Sequence, residues 1–518
     1  MRMLLALFVV ASAFAQTAQP PEKCIFAGAV ADAVTGQLLP RARVSLQSKT
    51  PGKGTYLTTT DAAGAFRFEA LEAGDYSVTA GESEHSGGGV LSLKSGRQVS
   101  VLRFAAGQSI TDAVIRLSPL AVLSGHVTDT DGEPIPGAQV GLIGERWMAG
   151  IQAHYLFNLT VADDRGEYRF SVSAGRYFLS AGTRGNDAMP MVFSEGPGKP
   201  EMRFATVLYP NAADFGGAAA IDARPGQQYT ADFRLPMVVT HHVRGAVRPW
   251  GLWVGPRVLQ LTSETNILGD SLALDKDGRF DQAGVVPGSY LLQALAFEEM
   301  GTRLPVDVND RDVEAILNVV TRGDVKGHVR FDDDGQHDFS KVHIRIRQTN
   351  TNHPLGTLIL EVQADGSFKI DNAPAGVLQL EVDPQSGCFL QSATFNQRDL
   401  EAGRLDLTGG GGGELDMVLG SGTGTVTGSV QGDALVAIIA SANGVTGNTG
   451  ARAAPIDQNG RFQFSFVAPG KYYVWATLRF DAEHWQNMDY VTQMEDGGTA
   501  VEVSKKATVQ VEIPKVLE

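Results

Sequence analysis

Two glycines ten residues apart recur along the chain, and this repeat restricts the fold more than any other feature of the sequence. In each copy an aromatic residue stands two positions after the first glycine. Four copies occupy residues 61–80, 275–294, 363–382 and 457–476, and a fifth, at 163–181, is one residue shorter between its glycines. Self-similarity of this kind indicates a series of modules rather than one continuous core.

Each copy has the pattern of two successive strands. The Asp-x-x-Gly that opens most copies is turn chemistry, because glycine adopts positive φ at a tight bend. Apolar residues then alternate, as at Phe66 and Phe68 and again at Tyr76 and Val78, which is the period-two pattern of half-buried strands. Since the second glycine turns the chain between the strands, the repeat predicts five β-hairpins with their rings in the core.

Further strands flank every copy. A strand, turn, proline and strand precede it, most clearly at residues 28–46 and 125–142, and an alternating strand follows it, as at 110–117. Short strands with turn residues between them predict an all-β chain of tandem β-sandwich modules. A single core serves roughly 250 to 300 residues, fewer than the 518 here. The predicted modules occupy residues 24–119, 120–237 (with long loop insertions), 238–320 (degenerate), 321–420 and 421–518.

Residues 1–15 have the pattern of a signal peptide. Arg2 precedes an apolar stretch, and Ala13, Phe14 and Ala15 form a small-x-small cleavage pattern. A membrane anchor is the alternative, but about 13 apolar residues are fewer than the ~20 that span a bilayer as a helix. We therefore expect an exported protein, periplasmic, cell-surface or extracellular, with no membrane span in the mature chain.

The segments at residues 28–46 and 61–80 resemble bacterial exported proteins built from carboxypeptidase regulatory-like domains. The resemblance extends to residues 205–221 and 388–400, and it is weakest at the start of the third module, where PWGLWVGP replaces the usual turn. It implies a transthyretin-like seven-stranded sandwich within the immunoglobulin-like and carbohydrate-binding-like group. It also implies an accessory domain without chemistry of its own, and fold alone does not establish function.

Catalytic and metal-binding patterns are sparse. None of the ten histidines has Glu three residues on, as a zinc carboxypeptidase needs. Acidic loops such as residues 129–132 and 332–335 lack the terminal Glu of a calcium loop. The sequence therefore predicts a non-enzymatic protein with no cofactor and no metal. A distant alternative is a serine esterase using Ser271 with Asp481 and His484, whose four-letter blocks are present without the strand-to-helix context.

Charge and cysteine content bound the partners and the redox chemistry. A formal net charge of -15 argues against nucleic-acid binding, which needs clustered Lys and Arg. The chain has two cysteines, Cys24 and Cys388, in the first and fourth predicted modules. An exported compartment permits a disulfide between them, whereas their separation gives no reason for the two sulfurs to meet within ~7 Å. A bridge and two free thiols are both open.

Aromatic residues outside the repeat are the candidate ligand-binding residues. Residues 144–162 and 182–214 are predicted loop insertions, and loops carry most binding sites on sandwich modules. Sugars and partner side chains stack on exposed rings, although packing of each module's own core is the alternative. The candidates are Trp147, His154, Tyr155, Trp250, Trp253 and Trp485. We expect a carbohydrate-binding role at the cell envelope, with a protein scaffold or adhesin-like surface array that binds an envelope protein as the alternative.

Overall fold

The chain folds almost entirely into β-strands. The computed structural model describes residues 23–517 except 87–88, 94–96, 149–150, 184–192, 195–199, 251–257, 268, 297–298, 319–321, 349–356, 443–450, 479–484 and 486–487. Within these residues the α-helical structure is α1 (Met488–Gln493), and short 3-10 turns lie at Phe339–Lys341, Pro384–Ser386, Glu401–Gly403 and Glu495–Gly497. The predicted all-β class of tandem sandwich modules is confirmed, whereas the predicted signal peptide lies outside the described residues.

Module one, residues 24–117, consists of two sheets that face each other across one core. Its strands are β1 (Cys24–Asp32), β2 (Arg43–Ser48), β3 (Thr55–Thr59), β4 (Ala65–Leu71), β5 (Gly74–Gly81), β6 (Val90–Ser92), β7 (Gln98–Val99), β8 (Val101–Phe104) and β9 (Ser109–Leu117). The sheet orders are β4-β1-β9-β6-β7 and β3-β2-β5-β8. Strand β1 runs antiparallel to β4 and parallel to β9, so the first and last strands lie side by side.

Module two, residues 121–239, has the same two sheets and a small third one. Its strands are β10 (Ala121–Asp129), β11 (Gln139–Met148), β12 (Ile151–Val161), β13 (Glu167–Val172), β14 (Gly175–Gly182), β15 (Phe193–Ser194), β16 (Glu201–Phe204), β17 (Val207–Leu208), β18 (Ile221–Ala223), β19 (Gln228–Thr230), β20 (Phe233–Leu235) and β21 (Met237–Val239). The orders are β13-β10-β19, with β20 also on β10, β12-β11-β14-β17, with β18 also on β14, and β15-β16-β21. Strand β21 lies across the predicted border at residue 237.

Module three, residues 241–318, keeps the sandwich despite its degenerate first turn. Its strands are β22 (His241–Arg248), β23 (Val258–Thr262), β24 (Asp270–Leu272), β25 (Arg279–Val285), β26 (Gly288–Ala296), β27 (Glu299–Val308) and β28 (Val313–Asn318). The sheet orders are β25-β22-β28 and β24-β23-β26-β27.

Modules four and five, residues 322–421 and 424–513, complete the series. Module four has β29 (Arg322–Phe331), β30 (Ile344–Gln348), β31 (Thr357–Leu360), β32 (Ser367–Ile370), β33 (Val377–Val382), β34 (Cys388–Phe395), β35 (Arg398–Asp399), β36 (Arg404–Asp406) and β37 (Gly411–Ser421). Module five has β38 (Gly424–Val430), β39 (Val436–Ser441), β40 (Arg452–Pro455), β41 (Arg461–Val467), β42 (Gly470–Thr477), β43 (Thr499–Val503) and β44 (Thr508–Ile513). The orders are β32-β29-β37-β34-β35 with β31-β30-β33-β36, and β41-β38-β44 with β40-β39-β42-β43.

The repeat does not form hairpins, and this prediction was wrong. In module one the two strands of the repeat, β4 and β5, belong to opposite sheets, and the second glycine lies where the chain crosses between them. The same holds for β13 and β14, β25 and β26, β32 and β33, and β41 and β42. Both sheets direct their apolar faces to the same core. The alternation of apolar and polar residues is therefore the same whether two successive strands pair as a hairpin or lie in opposite sheets. The predicted burial of the rings is correct, as for Phe66 and Tyr76.

The first turn of the repeat has the geometry expected from its sequence. Gly64, at φ 73°, is in the left-handed region, as are its four counterparts in the other modules. The Asp61 carboxylate accepts the backbone N–H groups of Ala63 and Ala65, both at 2.9 Å. Asp163, Asp275 and Asp457 cap their turns in the same way. The aspartate therefore satisfies donors that the sharp turn leaves unpaired.

A tyrosine secures the crossing that follows the second glycine. In module one the Tyr76 hydroxyl donates to the carbonyl of Glu72, four residues upstream, at 3.0 Å. Tyr177, Tyr290 and Tyr472 make the equivalent bond in modules two, three and five. In module four Leu378 occupies this position and contributes only to the core. The hydroxyl thus pairs a carbonyl at the corner while the ring fills the core.

A glycine in each first strand permits the last strand to approach closely. A Cβ on Gly28 would lie 2.0 Å from the carbonyl oxygen of Ala113 in β9. The corresponding distances are 2.1 Å for Gly125, 1.7 Å for Gly245, 1.8 Å for Gly327 and 2.5 Å for Gly428. All lie below ordinary van der Waals contact, so every other residue type would force these strands apart.

Cys24 and Cys388 are free thiols buried in different cores. The structure therefore has no bridge between them, and the alternative of a disulfide is not realised, because each side chain is enclosed by its own module. Burial raises the pKa of the Cys388 thiol to about 11, so this thiol stays protonated and unreactive near neutral pH.

We predict that Gly28→Ala destabilises module one by about 2 kcal/mol or more, because the added methyl group overlaps the β9 carbonyl. The matched control is Gly54→Ala, where a Cβ meets no atom within 4 Å. Thiol labelling during denaturation reports the two cores separately, since Cys24 lies in module one and Cys388 in module four. Earlier labelling of Cys24 with unchanged labelling of Cys388 is expected. Equal labelling of Cys24 in both variants would contradict the steric role of Gly28.

Candidate functional site

Trp485 is not a surface residue. It is 4% exposed and lies against Trp475, with ring centroids 5.1 Å apart, and against Tyr490 at 5.4 Å. The Trp475 indole also donates to the carbonyl of Met494 at 2.9 Å. These rings form a small apolar cluster beside α1, so Trp485 packs within its own module and does not offer an exposed ring to a ligand.

Trp250 is also engaged within its own module. Its indole N–H donates to the carbonyl of Lys276 at 2.7 Å, and its ring covers Gly278 in the turn of the repeat. It packs against the core of module three. Trp253 and the side chain of Trp147 lie outside the described residues.

The first predicted insertion of module two is a long β-hairpin rather than a loop. Strands β11 and β12 pair along their whole length, from Gln139 opposite Val161 to Met148 opposite Ile151, with one bulge. The bulge changes which side chains of β12 share a face. Because β12 is the outermost strand of its sheet, His154 and Tyr155 lie on an edge strand, whereas the sequence predicted a loop at these residues.

His154 anchors the hairpin to the following segment. Its ring stacks on Phe215 with centroids 3.5 Å apart and an angle of 6° between the planes, and it meets Phe178 edge-on. Nε2 lies 3.4 Å from Glu145. Burial lowers the pKa of His154 although Glu145 opposes this shift. The stacked imidazole serves packing here. Tyr155 lies against Gly144 and near Phe157.

A small cleft lies between modules two and three. It has a cavity volume of about 50 Å³, enough for a few water molecules. The guanidinium of Arg203 is buried in its wall and donates to the carbonyls of Thr183 at 3.0 Å and Gly284 at 3.1 Å. Asp270 lies 3.8 Å away. Because Thr183 belongs to module two and Gly284 to module three, Arg203 links the two modules. Sequence reasoning missed it, since a single arginine in an irregular segment carries no pattern.

The edge strand β12 exposes a row of apolar side chains. Phe157, Leu159 and Val161 are 53%, 39% and 55% exposed. Among the described residues no strand pairs with the outer edge of β12, and the strand contains no charged side chain. Natural edge strands usually carry charge, proline or a covering segment against strand addition. This is the most accessible apolar edge in module two.

A histidine between two carboxylates lies where module one meets module two. His85 Nδ1 is 2.9 Å from Glu82 and Nε2 is 2.9 Å from Asp32. An ionised carboxylate only accepts, so both ring nitrogens carry protons and His85 is an imidazolium. Its backbone bridges to Pro119, and the Leu120 N–H donates to the carbonyl of Glu84. The cluster therefore acts as a charged clamp, and His85 has no free nitrogen for general-base catalysis.

The pKa values of the clamp follow from its hydrogen bonds. Burial alone would lower the pKa of His85, but hydrogen bonds to Glu82 and Asp32 outweigh it and raise that pKa. Burial would raise the pKa of Asp32, but the backbone N–H groups of Thr35 and Val34 and the His85 ring lower it to about 2. The Ser83 hydroxyl and the Glu84 N–H lower the pKa of Glu82 to about 2.

The catalytic alternative gains no support from the site of Ser271. This serine is exposed in β24, a three-residue strand at the edge of an antiparallel sheet, opposite Gln260. A serine nucleophile of the proposed esterase type needs a strand-to-helix turn. Asp481 and His484 lie outside the described residues. In the described part of the chain no three His, Cys, Asp or Glu side chains are grouped to hold a metal ion. Asp129 caps its own turn.

We predict that the clamp stabilises the joint between modules one and two below about pH 6.5 and that this contribution is lost as pH rises through the higher folded-state pKa of His85. His85→Gln should therefore lower the midpoint of thermal unfolding more at pH 6 than at pH 9. An NMR titration should give a His85 pKa above 6.5 that falls in Glu82→Gln. A His85 pKa below 6.5 would show that burial dominates.

One family model matches the first module of this chain. Residues 26–117 match the carboxypeptidase regulatory-like domain. No curated protein matches the chain. Among solved structures, a TIE protein of Bacillus anthracis shares 10% identity over 74% of this chain and 69% of its own, with a TM-score of 0.16. The minor pilin of Streptococcus agalactiae shares 13% over 41% and 96%, with a TM-score of 0.23. The major pilin subunit of Bacillus cereus shares 10% over 57% and 99%, with a TM-score of 0.14.

Scores this low carry no inference about function. Among the described residues no helix is long and apolar enough to cross a membrane. The topology of the sheets and the family match to residues 26–117 both indicate a chain built of β-sandwich modules. The chain is an all-β, multi-domain protein whose first module matches the carboxypeptidase regulatory-like domain.

Proposed function

We propose that this chain is a non-enzymatic, exported scaffold, an adhesin-like array of β-sandwich modules that binds a protein partner at the free edge of β12. The observation that carries the proposal is the exposed, uncharged edge with Phe157, Leu159 and Val161. Export is inferred from the signal-peptide pattern of residues 1–15.

An unpaired strand edge offers a row of backbone donors and acceptors to a second strand. A partner that adds a strand gains affinity from these main-chain hydrogen bonds and specificity from side chains that contact alternate positions. At β12 the neighbouring apolar side chains add burial of about 25 cal/mol per Å² of apolar surface removed from water. The edge thus combines the two contributions that strand addition requires.

Several charged groups of the described residues have structural roles. The Arg203 guanidinium links two modules, the His85 imidazolium secures a joint, and the repeat aspartates cap turns. Arg244 bridges Asp281 and Asp312 on neighbouring strands of module three. Side chains committed in this way stabilise the array and are unavailable for proton transfer, which supports a scaffold over an enzyme.

A carbohydrate-binding role has less support. Sugars stack on exposed aromatic faces, but Trp485 is buried and Trp250 covers a turn of its own module. Phe157 remains as an exposed ring on β12, and its neighbours Leu159 and Val161 are aliphatic. Such a surface suits a protein better than a polyol, whose hydroxyl groups need polar partners.

The tandem arrangement also allows the contact that each module makes with a partner to be weak. Linking binding units makes the second contact intramolecular, so several weak contacts add through effective concentration. A partner that repeats along a surface, such as an envelope protein, would use more than one module. The array is then a spacer and a multivalent binder at once.

We predict that Val161→Lys abolishes retention of a protein partner from envelope material on the immobilised chain, because a lysine at an edge opposes strand addition. The control is Leu57→Lys on β3, an edge strand of module one where Leu57 is 65% exposed. The same partner, identified by mass spectrometry, should be retained by the wild type and the control. Polysaccharide retention that survives Val161→Lys but is lost in Trp147→Ala would instead favour carbohydrate binding.

A further inference from the structure

Module five packs against module one, although 355 residues separate the groups that touch. The contact joins β8, the last strand in the second sheet of module one, to the repeat turn of module five at residues 457–460. Val101 and Asp457 form an isolated parallel β-bridge. The Ser100 hydroxyl donates to the carbonyl of Leu435 at 2.7 Å. The chain therefore folds back on itself.

Gln458 takes the place of a neighbouring strand. Its side-chain oxygen accepts the backbone N–H of Arg103 at 3.0 Å, and its side-chain N–H group donates to the carbonyl of the same residue. A primary amide is both a donor and an acceptor, so one glutamine satisfies both edge groups of Arg103. The outer edge of β8 is paired here by a side chain of module five.

Charge supports the same contact. Asp457 is 3% exposed, and Arg103 Nη1 lies 3.6 Å from its carboxylate. The rest of the Arg103 guanidinium forms a two-pronged pair with Asp75 in β5, at 2.8 and 2.9 Å, which fixes its direction. The guanidinium of Arg97 lies over Gly460, where a Cβ would be 2.4 Å from Nη1. Two cations of module one thus surround one buried turn of module five.

The five repeat turns differ at the residue that makes this contact. The second position of the turn is Ala62, Asp164, Lys276, Ala364 and Gln458 in modules one to five. Only the last of these has a side chain that can both donate to and accept from a strand. The aspartates at the first position in modules one, two and three, Asp61, Asp163 and Asp275, are exposed. Both the sequence and the burial of the module five turn therefore set it apart.

We propose that the module five turn is a dedicated cap for the β8 edge of module one, and that the array is a closed structure with its first and fifth modules docked. The occupant of the β8 edge is the chain's own Gln458 turn. While it is docked, this edge is unavailable to a second chain, whereas release of module five uncovers the N–H and carbonyl of Arg103 for strand addition.

The test compares two alanine substitutions one residue apart. Gln458→Ala removes both the acceptor of the Arg103 N–H and the donor to the Arg103 carbonyl, while Asn459→Ala shortens a side chain at an exposed position. Hydrogen–deuterium exchange at the Arg103 amide should be about tenfold faster in Gln458→Ala than in the wild type. Asn459→Ala should exchange like the wild type. Amides of β2 and β38 should stay protected, which shows that both modules remain folded.

Small-angle scattering of the unmodified chain is the second measurement, and it does not depend on any variant. The docked array predicts a compact particle, which should expand in Gln458→Ala and remain compact in Asn459→Ala. An extended rod for the unmodified chain would overturn the proposal. So would equal exchange of the Arg103 amide in all three proteins.

Discussion

The close approach of the first strand to a parallel segment from the end of the sandwich closes every module, and the rest of each sandwich depends on it. In module one β1 lies between β4 and β9, antiparallel to one and parallel to the other. Gly28 lets the β9 backbone come within a distance that no side chain tolerates. A parallel pair at the ends of a module joins residues far apart in sequence, so its loop-closure entropy must be offset by the core that it completes. The same glycine position in all five modules indicates a shared solution to this problem.

Local chemistry decided which parts of the fold could be predicted from the sequence. The turn at Gly64 and the burial of Phe66 and Tyr76 follow from residues a few positions apart, and both predictions are confirmed. The partner of a strand is a tertiary property. Alternating residues in β4 and β5 face the core whether the strands pair with each other or lie in opposite sheets, so the hairpin prediction failed. Gly28 was visible as part of a pattern, but its steric role depends on Ala113, which is distant in sequence.

The positions of Trp485 and Trp250 could not be predicted for a related reason. A tryptophan in a segment without alternation can cover a core or face solvent, and burial decides between these outcomes only after packing. Trp485 lies among Trp475 and Tyr490 and stabilises an apolar cluster. The exposed surface lies instead on β12, where the run from Tyr155 to Val161 has strong β-propensity and no charge. That composition is a sequence signal for strand pairing, and it would have pointed to an edge strand in place of a loop.

The strand edges at β8 and β12 differ in how their backbone groups are covered. At β8 the edge groups of Arg103 are paired by Gln458, and flanking arginines hold the capping turn. At β12 the described residues provide no cap, and apolar side chains remain exposed. With a net charge of -15, copies of this chain repel one another at long range. This repulsion opposes the association of copies through a single uncharged strand edge, whereas many such edges would favour aggregation. Of these two edges, β12 is therefore the one that is available for strand addition.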